Sequence, residues 1–245
     1  MQYLLEADYH THTIFSKHKH GKDTPEANIK AAIAKGLKTI GISDHGPAHA
    51  LFGIKDMSVY LETLRKLQQK YAAQIVVSIG VELNFIGLDG RIDLSEAYAD
   101  AFDTRILGFH QCVLPNSFAS GIAFYGQRIL AKNSRSMITK ATDMYIRALE
   151  KYPVIILAHP GHAISLDFVP LADACKTFGT YVEINNTHGG LCVKDIARMA
   201  DRGAKFVLSS DAHRSENVGE VSIAHARMLA AGLSEKEVVN IKKGE

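Results

Sequence analysis

Histidines and carboxylates recur beside short apolar runs along this chain: Asp8-Tyr9-His10-Thr11-His12, Ser43-Asp44-His45-Gly46, Gly80-Val81-Glu82, Gly108-Phe109-His110, Ala158-His159-Pro160-Gly161 and Ser210-Asp211-Ala212-His213. Imidazole and carboxylate together suit zinc, manganese or iron, whereas calcium and magnesium want more oxygens. Asp8, His10 and His12 alternate with Tyr9 and Thr11, so an extended chain turns all three to one face. Asp211 and His213 repeat the device near the other end. Glu82 closes an apolar run, where an ionised carboxylate without a partner is costly and a metal is the simplest partner. Nine candidate ligands exceed what one ion of four to six coordination can take, so two or three metals are implied. Three divalent ions against Glu82 and Asp211 would leave a cationic cavity that prefers an anionic substrate, phosphate above all.

Strands must deliver these residues. The runs Tyr3–His10, Lys38–Asp44, Ile75–Leu83, Arg105–Phe109, Val154–Ala158, Thr180–Ile184 and Lys205–Ser210 read as strands, several apolar throughout as in a parallel sheet covered on both faces. Amphipathic segments alternate with them: Thr24 to Gly36, Ser58 to about Ala73, Arg135–Lys151, Asp167–Phe178, Val193–Arg202 and Val221–Ala231. A last helix is expected to begin at Ser234, with Glu237 completing a capping box. The stretches Leu88–Ala101 and Leu114–Lys132 read as loops over the site. Every candidate ligand follows the C-terminal end of its strand, and only a closed or nearly closed barrel gathers those ends into one ring. The expected architecture is α/β, a distorted (βα)7 TIM-like barrel, with residues 1–245 forming one domain.

The twelve histidines support this reading collectively, because only His225 falls inside a predicted helix. Bulk properties narrow the function. Lys and Arg number 28 against 26 Asp and Glu, with no basic stripe to suggest a nucleic-acid face. Three widely spaced cysteines (Cys112, Cys175, Cys192) fit a reducing compartment. No signal-peptide pattern and no membrane-length apolar run is present, so a cytoplasmic protein is expected.

Taken in order, these motifs resemble the PHP family, named for polymerase and histidinol phosphatase domains; Ser43-Asp44-His45-Gly46-Pro47 and Glu183-Ile184-Asn185-Asn186 strengthen the likeness to its small stand-alone bacterial phosphatases. The resemblance implies a trinuclear centre, usually of zinc. Carried over, His10, His12, Glu82 and Asp211 would hold one ion; bridging Glu82 with His110 and His159 a second; His18, His45 and His213 a third. His18 is taken over His20 by its spacing from His12. Glu82, His110, His159 and Asp211 are expected to carry catalysis. Asp8 and Glu183 are candidates for orienting ligand imidazoles, and His20 or His188 for proton delivery to the leaving group. Lys17, Lys19, Lys22 and Arg214 lie beside proposed ligands.

The expected reaction is hydrolysis of a small phosphorylated metabolite, with a hydroxide held between two ions attacking phosphorus in line. Histidinol phosphate is one candidate substrate. A nuclease or phosphodiesterase acting on nucleic-acid ends is a second reading, disfavoured by the charge pattern. A non-catalytic metal-binding module is a third, disfavoured because nine ligands over three ions leave open positions.

Overall fold

A computed structural model describes residues 3–115 and 134–244. Most of the expected 114–132 loop therefore lies outside the described residues. Seven parallel strands pair in chain order: β2 Ala7–Asp8, β3 Thr39–Ile42, β4 Val76–Asn84, β5 Thr104–Gly108, β6 Ile156–Leu157, β7 Tyr181–Asn185 and β8 Phe206–Ser209. They curl into a nearly closed TIM-like barrel, as the ligand distribution predicts. Outside the barrel, β1 Tyr3–Leu5 pairs antiparallel with β9 Ile241–Lys243. The helices are α1 Pro25–Ala34, α2 Met57–Tyr71, α3 Arg135–Lys151, α4 Phe168–Phe178, α5 Val193–Asp201 and α6 Ser222–Ala230.

Local chemistry explains the boundaries. Thr24, Asp56, Ser134 and Asp167 each cap a helix by accepting a backbone N–H from its first turn. α4 stops at Gly179, whose φ of 69° costs glycine little. The first turn of α6 is capped from a distance by Asn186 Oδ1, which accepts from Ile223 and Ala224. Helix faces such as Tyr60, Leu61, Leu64 and Tyr71 of α2 pack on the outside of the sheet. Within the barrel Ile106, Ile156, Ala158 and Val207 form a separate small cluster. Strand register sets Ile106 beside Glu82 and Val207 beside Glu183, so this cluster is a dry floor under the carboxylates.

Three expected elements differ. The stretch Leu88–Ala101, expected as a loop, ends in a 3-10 helix, Glu96–Ala101. The first strand breaks at Glu6, whose N–H donates to Asn240 O while its carbonyl accepts from Lys38 and Thr39. No helix starts at Ser234. Ser234 and Glu237 do bond as in a capping box, but Val238 bridges to Phe206 and the chain then joins β1. Tertiary strand pairing outweighs one turn's propensity.

The ring is not closed by a strand pair. At its mouth Thr11 makes a single bridge to Ala212, with His12 N donating to Ala212 O at 2.8 Å. Below, the Asn240 side chain spans the gap: its Nδ2 donates to Ala7 O and Leu208 O at 2.7 Å each, and its Oδ1 accepts from Leu208 N at 3.0 Å. Asp8 completes the seam by accepting from Ser210 Oγ and from the N–H groups of Ser210 and Gly219. Replacing Asn240 with Ala strands these buried backbone groups and is expected to cost about 3 kcal/mol, read as a lower urea midpoint.

Candidate metal centre

Each site residue sits at or just past a strand's C-terminal end. His10 and His12 follow β2, His45 follows β3, Glu82 lies in β4, His110 follows β5, His159 follows β6, Glu183 lies in β7, and Asp211 and His213 follow β8. They converge in a cavity of about 330 Å³. Glu82 is its pivot and is fully buried. Its Oε1 lies 2.9 Å from His110 Nε2, 3.0 Å from His159 Nε2 and 3.4 Å from His10 Nε2. Its Oε2 lies 2.8 Å from His45 Nδ1 and 3.6 Å from His12 Nε2. Asp211 Oδ1 stands 3.2 Å from His12 Nε2 and 3.6 Å from His10 Nε2.

The outer nitrogens fix which way the imidazoles present their lone pairs. His10 Nδ1 meets Glu183 Oε1 at 2.7 Å, and a carboxylate can only accept, so this nitrogen carries a hydrogen and Nε2 is the one left to bind a metal in exchange for its proton. His213 Nδ1 likewise donates to Asp211 O at 2.9 Å. Asn84 Nδ2 donates to Asp93 at 2.7 Å, which turns Asn84 Oδ1 to His110 Nδ1 at 2.8 Å and bares His110 Nε2. Anchoring of the far ring nitrogen is how metal-binding histidines are held.

Inward-facing ring nitrogens thus crowd carboxylate oxygens and one another. His10 and His12 approach Nε2 to Nε2 at 3.2 Å, and His20 and His213 at 2.7 Å. His45 Nδ1 and Glu82 Oε2 are close but misaligned, and both lack a hydrogen-bond partner. Acceptors crowded in this way need a cation among them. Ligand atoms around a tetrahedral ion at about 2.0–2.2 Å stand about 3.3–3.6 Å apart, and several of these contacts match that span. Three interlocking donor sets result: His10, His12 and Asp211; His45, Glu82 and His110; His12, His45 and His213.

Electrostatics agrees. Burial holds His45 well below its ordinary value and lowers His12 and His20 to about 3, keeping them neutral. Burial alone would raise Glu82 and Asp211, but the surrounding imidazoles hold both well below the carboxylate range. Against the pull of burial, the nearby carboxylates raise His10 and His159, so protons on these two offset negative charge that a metal would otherwise neutralise. The residues fit divalent ions.

The sequence reading needs two corrections. His18 is exposed on a short turn, Lys17–Lys19, whereas His20 reaches into the cluster and stacks on Phe52 at 3.8 Å. Both His18 and Lys19 take a left-handed backbone, which swings the His18 ring outward and carries His20 inward. His20→Ala is expected to lower bound metal by about one equivalent and His18→Ala to leave it unchanged, as elemental analysis of both variants would establish. Asp8 does not share a face with His10 and His12. It turns into the seam instead, bonded to Ser210 and Gly219. Glu183 Oε1 holds the His10 ring through Nδ1, and its Oε2 also accepts from His159 N and Asn185 Nδ2.

Some contributors went unforeseen. Asn84 lies two residues past Glu82 on the same strand face, a period-two signal that could have found it. Asp93, which orients it, carries no such signal. His49 and His162 also line the cavity, beside His188, which the sequence offers as a proton donor. His188 Nε2 is 3.4 Å from Asp211 Oδ2, and its ring lies 4.2 Å from that of His162. Of the five non-glycine residues with positive φ among the described residues, Cys112, His159 and Asp211 line this cavity, and His18 and Lys19 form the turn that leads to His20. Such conformations collect where a site dictates backbone direction.

A family model described as the PHP domain matches residues 8–187. A probable phosphatase of a Thermoanaerobacter species is 29% identical over 250 residues, covering 98% of this chain and 92% of the relative. A probable phosphatase of Escherichia coli is 26% identical over 248 residues, covering 97% and 91%. Among solved structures, the histidinol phosphate phosphatase of Lactococcus lactis, complexed with zinc, L-histidinol and phosphate, superposes with a TM-score of 0.61 at 19% identity, covering 94% of this chain and 95% of that one. At that identity the likeness speaks to the fold.

Proposed function

This chain belongs to the PHP domain family, and from that premise we propose that it is a metal-dependent phosphoesterase hydrolysing the monoester of a small phosphorylated metabolite. The observation that carries the reading is Glu82, a fully buried carboxylate whose two oxygens meet five imidazoles. The curated relatives named as probable phosphatases support it. Residues 1–245 are taken as one phosphoesterase domain. Three free cysteines fit a cytoplasmic setting, and no helix among the described residues is long and apolar enough to cross a membrane.

In this proposal three divalent ions, zinc by preference, occupy the centre. His10, His12, Glu82 and Asp211 hold one; Glu82, His110 and His159 a second; His45, His213 and His20 a third. Bound divalent metal supplies Lewis acidity toward phosphoryl oxygens and lowers the pKa of a coordinated water to about 7. The protein's own residues do the rest. Glu183, Asn84 and the Asp211 carbonyl fix ligand rings so that little reorganisation accompanies reaction. Phe52 and Phe109 on the cavity wall keep bulk water from the charged centre. Of the two imidazoles the sequence offers for the leaving oxygen, His20 belongs to the cluster and His188 remains, beside Asp211 and against His162.

Metal analysis with parallel assays of p-nitrophenyl phosphate and bis(p-nitrophenyl) phosphate tests the reading. Between two and three zinc equivalents and at least tenfold preference for the monoester are expected. A metal-free protein with full activity, or preference for the diester, would refute it, the latter in favour of the nuclease reading.

A further inference from the structure

Near the metal centre lies a second, open cavity of about 610 Å³, lined by Lys17, His18, Lys19 and Lys55. Its walls come from two loops joined by an antiparallel bridge between Ser16 and Ile54, the residues just before Lys17 and Lys55. Ser16 is itself fixed, its Oγ donating to buried Asp44 at 2.5 Å. Lys22 extends the basic cluster by donating to Lys19 O at 2.8 Å. Among the described residues, no carboxylate pairs with Lys17, Lys19, Lys22 or Lys55, so their charges are uncompensated within the cluster. The turn carrying Lys17 to Lys19 places two consecutive residues at φ 55° and 53°, a conformation L-residues rarely adopt. The same turn delivers His20 to the metal centre, 2.7 Å from His213, so the cluster and the reacting site share one loop.

We propose that Lys17, Lys19 and Lys55 form a subsite for a second phosphate, so that the substrate class is small bisphosphorylated molecules. The proposal rests on the phosphoesterase reading and narrows it. One phosphate meets the metal centre and is cleaved; the other is held by lysine ammonium groups, which serve as point charges for phosphate. A positively charged amine at that position, as in histidinol phosphate, would be repelled by the same lysines.

The test uses the metal-loaded full chain and three matched pairs of differing reach: fructose 1,6-bisphosphate with fructose 6-phosphate, 2,3-bisphosphoglycerate with 3-phosphoglycerate, and adenosine 3′,5′-bisphosphate with adenosine 3′-monophosphate. At least one bisphosphate should exceed its partner tenfold or more in kcat/KM. In Lys17→Ala/Lys19→Ala/Lys55→Ala that ratio should fall toward one through a higher KM. Raising salt on the unaltered protein should shrink it too, because exposed charges are screened, and this arm does not depend on the variant folding. A ratio near one for every pair, or a ratio that survives both the substitution and salt, overturns the proposal. Failure to release p-nitrophenol from p-nitrophenyl phosphate would instead overturn the phosphoesterase reading beneath it.

Discussion

Glu82→Gln should lower kcat/KM for a phosphomonoester by more than about a hundredfold, beyond what loss of an outer hydrogen-bond partner costs a metal site. Glutamine keeps the shape, so the barrel should persist. It removes the charge, however, and turns an amide N–H₂ toward ring nitrogens or oxygens that now accept. Five imidazoles lose their common anion in one substitution. Glu183→Gln is the internal comparison. It leaves every proposed ligand in place and weakens the hold on His10 Nδ1 and the bonds Glu183 accepts from His159 N and Asn185 Nδ2, so it should cost about 10–100-fold in metal affinity and recover with added zinc. Equal losses in the two variants, or an active Glu82→Gln enzyme, would contradict the assignment of Glu82 as the shared ligand.

Stripping the metal should lower the melting temperature markedly. Ions that bind the folded chain alone stabilise it by mass action, about 4 kcal/mol when free metal is a thousand times the dissociation constant. For a chain of this size that corresponds to about 10 °C. Glu82, Asp211 and Glu183 are all nearly fully buried, and without metal only protons on His10 and His159 offset them. Calorimetry before and after exhaustive chelation, then after zinc is restored, measures the difference. A melting temperature indifferent to chelator would mean that the cluster is stable without metal, and would undercut the centre as drawn.

The barrel was legible because its signals are periodic and repeated. Apolar runs such as Ile75 to Leu83 can only be strands buried on both faces, and α3 falls on its expected span, Arg135–Lys151. The convergence of the candidate residues was legible because strand ends in a barrel share one mouth. What could not be read depended on long-range contacts. His18 and His20 have the same chemistry, and only the left-handed turn between them selects His20. Asp8 alternates correctly with His10, yet the chain leaves the sheet after Asp8, so alternation no longer governs its direction. Asp93 reaches the centre through Asn84 from a loop without a motif.

The unpaired flank of the barrel has a consequence for how the molecule is held together. His10 and His12 stand on one side of that gap, Asp211 and His213 on the other, with one backbone bridge between Thr11 and Ala212. A cation shared by both flanks would act as a clasp on an otherwise slit cylinder. Amide exchange should accordingly quicken first around His12 and Ala212 when the clasp is removed, while the broad contact of β4 with β5 on the far wall stays protected.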